Sequence, residues 1–335
     1  MREQKPQVAI TIGDPAGIGP EISAKVMSLR AIYKVSRPLL IGELSVLEQA
    51  LKLCNLKLKI NEISCVQEGI YRYGTIDLID MGNINVKNIS YGKIYEACGR
   101  AAFEYIEKAA SLALVKEVDS IATAPINKEA LKKANIKGQG HTEILAELSG
   151  VSDPLTMFEV KSLRIFFLTR HVSLVEAIKS ITKERVIDYI DRCINALKKI
   201  GVQEPVLAVA GLNPHSGEGG LFGDEELHSI MPAVDDAKTK GYRVEGPLPA
   251  DSVFYLALQG RYSAVLSLYH DQGHTAAKTL DFHNTISITL GLPFLRTSPD
   301  HGTAFDIAGK GVANISSIQN AIIAAAEYAK YYTAD

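Results

Sequence analysis

Between Tyr269 and Gly309 the chain reads YHDQGHTAAKTLDFHNTISITLGLPFLRTSPDHGTAFDIAG, gathering four of its eight histidines with Lys278, Arg296 and four aspartates between apolar runs. Titratable groups packed so densely beside strand-like sequence mark a reaction site more readily than a solvated face. Two further histidines occupy the same kind of position: His171 follows RIFFLTR and His215 follows VLAVAGLNP, just as His270 follows AVLSLY. In open α/β sheets, side chains just beyond the carboxyl ends of strands converge on one crevice. Three neutral imidazoles delivered there would make an open site for zinc or another divalent transition metal, able to act as a Lewis acid on a substrate hydroxyl or carboxylate. Taken singly, each is more often a loop histidine held by a local hydrogen bond. Their shared position favours ligation.

The remaining candidates are anion binders and proton carriers. Lys278 and Arg296 can clamp an anion, the arginine in bidentate fashion, although surface charge is the usual fate of either residue. His141 and Thr142, in GHTE before the helical ILAEL run, would sit at a helix N-terminus and hold phosphate or carboxylate; plain capping by Thr142 explains them equally well. Asp251, in GPLPADS, and Asp271, beside His270, could orient an imidazole or move a proton. The loop Asn213-Pro-His-Ser-Gly-Glu-Gly-Gly220 carries glycines that let backbone approach a ligand. In Gly13-Asp-Pro-Ala-Gly-Ile-Gly-Pro-Glu21, backbone amides could face an anion, with Asp14 and Glu21 at the sheet edge; a tight strand-to-helix turn is at least as good a reading. His228 reads as surface, and His274, His283 and His301 stay outside the metal set.

These residues need a scaffold that presents strand ends. Short apolar runs at Gln7–Ile12, Pro38–Gly42, Ser120–Ala124, Arg164–Thr169, Val206–Ala210, Ala264–Leu268 and Ile286–Leu290 alternate with helical segments, the pattern of an α/β protein with a mostly parallel sheet. The clearest helix is Lys183–Ile200, capped by Thr182; Ile94–Leu114, rich in Ala and Gly, could pack inside the fold or at a subunit contact. With 335 residues, two domains are expected. A net charge of −2 gives no general attraction to nucleic acid, and scattered Cys54, Cys65, Cys98 and Cys193 form no CxxC pair. Neither a signal-like start nor a run of membrane-spanning length occurs, so a cytoplasmic protein with no membrane partner is expected.

Taken in order, GDPAGIGPE, GHTE, GLNPHSGEGGLFGDEE, GPLPADS, YHDQGH and LGLPFLRTSPDHGTAFDIAGKG resemble the successive signatures of the 4-hydroxythreonine-4-phosphate dehydrogenase (PdxA) family, from about Thr11 to Gly311. The resemblance implies two α/β/α domains with a cleft between them, like the isocitrate and isopropylmalate dehydrogenases, here residues 1–128 with 295–335 and residues 129–294. It implies NAD, with NADP as the alternative, bound without a GxGxxG fingerprint and with contact residues unassigned. It also implies a divalent metal, zinc before magnesium, manganese or cobalt, in a homodimer whose metal site lies at the subunit interface. Motif by motif, His171, His215 and His270 match the metal ligands, and His141, Thr142, Lys278 and Arg296 match substrate-binding positions. Lys278, Asp251 and Asp271 are the proton-handling candidates.

The implied reaction is oxidation of a 4-phosphorylated 3-hydroxy acid followed by decarboxylation of the β-keto product, as in the 4-hydroxythreonine-4-phosphate dehydrogenase of pyridoxal phosphate (vitamin B6) biosynthesis. One position departs from the biosynthetic pattern: Ser287 stands where that enzyme has a substrate-binding asparagine. HTAAKTLDF resembles a branch acting on D-threonate or D-erythronate 4-phosphate, which would give dihydroxyacetone phosphate in sugar-acid catabolism. A branch oxidising aromatic cis-dihydrodiols fits less well, because its substrate has no phosphate. A catalytically silent metabolite- or metal-binding protein on the same fold is the alternative from another class.

Overall fold

The computed structural model describes residues 5–138 and 140–332. Its strands are β1 (Gln7–Thr11), β2 (Arg37–Gly42), β3 (Lys59–Glu62), β4 (Thr75–Asp80), β5 (Ser120–Thr123), β6 (Leu155–Val160), β7 (Leu163–Phe167), β8 (Leu207–Ala210), β9 (Val244–Leu248), β10 (Ala264–Ser267), β11 (Ile286–Leu290) and β12 (Leu295–Pro299). They fall into two units: the described residues up to Pro154 with those from Ile286 onward, and Leu155–Thr285. These limits differ from the expected 128/129 and 294/295. The helix His141–Ser149 packs on the helix Glu96–Leu114, and β11 pairs with β12, so His141, Thr142 and Ser287 lie in the first unit.

In the first unit the strand order is β3-β4-β2-β1-β5-β12-β11, parallel except for the β12–β11 pair. Its central strands β1 and β2 are buried at every position but Arg37 because helices cover both faces. Ser316–Ala329 packs on β12 and β5, with Thr297 Oγ1 donating to the Ala321 carbonyl at 2.8 Å and Ser120 Oγ to that of Ala325 at 3.2 Å. Side chains alternate along a strand. Thr123 and Arg296 therefore point to the opposite face. The Ala- and Gly-rich helix Glu96–Leu114 packs on β1, β2 and β5, with Cys98, Gly99, Ala102, Tyr105 and Ala109 buried. A Cβ at Gly99 would lie 2.1 Å from the Ala130 carbonyl oxygen, which explains the small residue there.

In the second unit the order is β6-β7-β10-β8-β9, with β6–β7 antiparallel and the rest parallel. Adjacent parallel β7, β10 and β8 end on one side of their sheet. Those are the strands that precede His171, His270 and His215. Thr182 caps the helix Lys183–Lys199 as expected, accepting from the Arg185 amide at 3.3 Å.

The Gly13–Glu21 segment is a structural turn and not an anion nest. The amides of Asp14, Ala16, Gly17 and Ile18 bond the Pro125 carbonyl, Asp14 Oδ1, the Asp14 carbonyl and the Thr303 carbonyl respectively. Gly13 has φ +73°, and a Cβ there would lie 2.3 Å from the Pro125 oxygen, so only glycine makes this turn. Glu21 pairs with Lys25 at 2.7 Å and accepts from the amides of Gly311 and Ala313, tying the first helix to the C-terminal segment. Asp14 is 0 % exposed, and its Oδ2 has no hydrogen-bond partner. Burial pushes its pKa from 3.8 up to about 6. A carboxyl whose folded-state pKa is raised stabilises the fold at low pH and loses that contribution as pH rises through about 6. Asp14→Asn should therefore gain stability over the wild type at pH 8, on the order of 2 kcal/mol, and show no gain at pH 4. Urea unfolding of both proteins at the two pH values measures the difference.

Candidate active site

Arg296 lies on β12, directly opposite Thr289 in the antiparallel pair with β11 and beside β5. It is 4 % exposed. Its Nε and Nη2 both donate to Thr123 Oγ1, at 3.1 and 2.7 Å, and Nη1 donates to Thr289 Oγ1 at 3.2 Å. Three of five N–H groups are thus held by neutral hydroxyls, leaving two to meet an anion. Burial lowers its pKa to about 10, with the charges of Glu143 and Asp300 opposing, so the guanidinium is charged at neutral pH. Ser287 faces Ser298 across the same strand pair and shares its side of the sheet with Thr289 and Arg296.

His141 and Thr142 open the helix His141–Ser149, whose N-terminus has no side-chain cap among the described residues. Capping by Thr142 is therefore ruled out. The Nε2 of His141 is buried without a hydrogen-bond partner. Burial first, and the Arg296 charge second, lower its pKa well below 6.5, against a hydrogen bond to the Ala124 backbone. Arginine supplies the charge here and histidine a neutral imidazole.

The second unit carries the imidazole set. His270 opens the helix His270–Asp281, and its Nδ1 lies 2.6 Å from Asp271 Oδ1, which leaves Nε2 for a ligand. The His171 ring is 5.8 Å from that of His270. His274, not foreseen as part of the site, stacks on His270 at 3.5 Å and 13°, with Phe158 and Phe167 behind it. Its pKa is lowered to about 4, by burial and then by the neighbouring His270. His215 sits in a turn where residues 215–219 all have positive φ. Left-handed backbone costs about 1–2 kcal/mol for each residue with a Cβ. Among the described residues no group of three His, Cys, Asp or Glu side chains is placed to hold a metal ion. Within one chain, then, His171 and His270 are neighbours.

Asp251 and Asp271 line one cavity of about 850 Å³ with Tyr269, Phe254, Tyr255 and Gln272. Lys278 lies on the same helix as His270, with its ammonium 5.0 Å from the centre of the Phe282 ring. The sequence reading missed Thr123, Thr289 and His274. The first two were detectable only through strand register, the third only as an i+4 partner of His270 on a helix.

A family model described as "Pyridoxal phosphate biosynthetic protein PdxA" matches residues 34–325. A Clostridium botulinum protein named "Putative D-threonate 4-phosphate dehydrogenase" is 57 % identical over 328 residues, covering 98 % of each chain. Among solved structures, a Klebsiella pneumoniae 4-hydroxythreonine-4-phosphate dehydrogenase is 38 % identical, with TM-score 0.91 over 98 % of this chain and 100 % of that one. A Burkholderia phymatum 4-hydroxythreonine-4-phosphate dehydrogenase is 42 % identical, with TM-score 0.86 over 97 % and 99 %. The ordered motifs, the two α/β units and these full-length matches agree: the chain belongs to the PdxA family of dehydrogenases.

Proposed function

We propose that this protein oxidises and decarboxylates a 4-phosphorylated 3-hydroxy acid, with D-threonate 4-phosphate favoured over 4-phosphohydroxy-L-threonine. The observation that carries the substrate choice is the contrast in identity: 57 % to the relative named for D-threonate 4-phosphate, against 38 % and 42 % to the two solved 4-hydroxythreonine-4-phosphate dehydrogenases. Ser287 supports it, since a short hydroxyl on the Arg296 face suits a substrate hydroxyl and offers less than an amide oxygen to an ammonium.

The donor set fits a divalent ion of the zinc type. His171, His215 and His270 would hold it as neutral imidazoles, and the Asp271 contact fixes the His270 tautomer. When bound, the ion supplies Lewis-acid polarisation of the substrate's hydroxyl and carboxylate while a nicotinamide coenzyme accepts hydride. Arg296 holds the phosphate through its two uncommitted N–H groups. His141 and Thr142 complete the anion site, and Lys278, Asp251 and Asp271 are the groups able to take the hydroxyl proton and return one after carbon dioxide leaves. The product would be dihydroxyacetone phosphate. A homodimer sharing the metal site is supported by exposed apolar side chains that follow the proposed ligands in the chain: Val172, Leu174 and Val175 after His171, and Leu221 and Phe222 after His215.

NADH formation measured side by side on D-threonate 4-phosphate, D-erythronate 4-phosphate and 4-phosphohydroxy-L-threonine tests the substrate. Highest kcat/KM on the last would overturn the choice, and turnover of none despite bound metal would favour a silent binding protein. His215→Ala and His270→Ala should each reduce metal content and turnover at least about 100-fold; wild-type values in either would refute the metal assignment. Arg296→Ala should raise KM for the phosphorylated acid about 10- to 100-fold and leave KM for its dephosphorylated analogue nearly unchanged. Equal effects on both substrates would remove the phosphate assignment.

A further inference from the structure

The turn that carries His215 needs something to hold it. From His215 to Gly219 the φ angles are 51, 55, 80, 45 and 67°, and three of these five residues bear a Cβ. Neither Ser216 nor Glu218 is a residue that adopts this conformation readily. Ser216 Oγ is buried without a hydrogen-bond partner among the described residues, so no side-chain hydrogen bond there offsets the strain.

The compensation comes from Glu226, 1 % exposed, beyond the turn in GDEE. Its Oε1 accepts from the amides of Leu212 and Asn213 at 2.8 and 2.7 Å, and its Oε2 accepts from Asn213 Nδ2 at 2.8 Å. Glu225 Oε2 accepts from the same Nδ2 at 2.6 Å. The turn itself lies against this carboxylate, for a Cβ on Gly217 would sit 3.0 Å from Glu226 Oε2. Backbone bonds then close the turn, from the Ser216 amide to the Asn213 carbonyl at 3.0 Å, from the Leu221 amide to the Glu218 carbonyl at 3.4 Å and from the Phe222 amide to the Gly217 carbonyl at 3.2 Å. His215 is left on the outside, its side chain 68 % exposed, with Nδ1 3.2 Å from Glu218 Oε2. A buried carboxylate that receives only neutral N–H donors is expensive to keep unless it fixes something.

We infer that Glu226 is a positioning residue for a divalent-metal site: by gripping Leu212 and Asn213 it holds the left-handed turn and so sets the direction of His215. This rests on the reading of His215 as a metal ligand. It adds a residue that touches neither metal nor substrate. Gln in place of Glu226 keeps the size but sets an NH2 donor against N–H groups that need an acceptor.

The test is titration of the full-length, metal-free protein with cobalt chloride, without coenzyme or substrate, followed by calorimetry and by the visible absorption of bound cobalt. Glu226→Gln should weaken cobalt binding about 10- to 100-fold and alter the absorption band, while thermal unfolding remains a single cooperative transition. Adding Ser216→Gly, which removes strain at one left-handed position, should restore part of that affinity. Should Glu226→Gln fail to fold, Asn213→Ala removes the side-chain grip alone and should weaken binding in the same direction. Wild-type cobalt affinity in Glu226→Gln, or in Asn213→Ala where the former does not fold, overturns the positioning role and leaves the metal reading standing. No cobalt binding by the wild type overturns both.

Discussion

The proposed anion site depends on one arrangement, a buried guanidinium held by hydroxyls among the described residues. Arg296 reaches Thr123 on one neighbouring strand and Thr289 on the other, so its direction is fixed by the pairing of β5, β12 and β11. A one-residue slip of any of these strands would turn its side chain to the opposite face and break the set. Had a carboxylate taken those N–H groups in hydrogen bonds, the charge would already be answered and a substrate phosphate would gain little. Hydroxyls hold the fork in place without neutralising it. The same charge helps to keep His141 neutral, so the two residues differ in charge at neutral pH.

The second unit solves a different problem by topology. Three adjacent parallel strands end on one side of a sheet, and each is followed within a few residues by a histidine. Local contacts then refine each ring: Asp271 and His274 for His270, a left-handed turn braced by Glu226 for His215. Strand order brings the imidazoles to one edge. The bracing determines where they point.

Legibility in the sequence follows from how each feature is stabilised. All seven expected strands exist, because strands buried on both faces read as apolar runs. β3, with the sequence KINE on a solvated edge, has no such run; β9 contains Gly-Pro, and β12 holds the polar LRTSP on account of its role at the site. The chemistry-bearing side chains stood out by type and position. Their supports did not: a threonine in a strand reads as β-propensity, and Glu226 within GDEEL reads as a solvated helix face. For Asp14 and Glu21 the sequence left a binding loop and a strand-to-helix turn both open, and both residues are buried parts of a turn. Nothing in a single sequence separates a carboxylate that meets a ligand from one that meets backbone amides.

On the proposed reading, charge at Arg296 also bears on which acid the site would accept. Arg296 brings a positive charge, with Glu143 and Asp300 opposing it, onto the sheet face shared by Thr289, Ser287 and Ser298, and its hydrogen-bond partners among the described residues are hydroxyls. A substrate ammonium close to that face would meet like charge, with no amide oxygen at Ser287 to receive its N–H groups. A hydroxyl in the same place meets no such repulsion and can both donate to and accept from a serine.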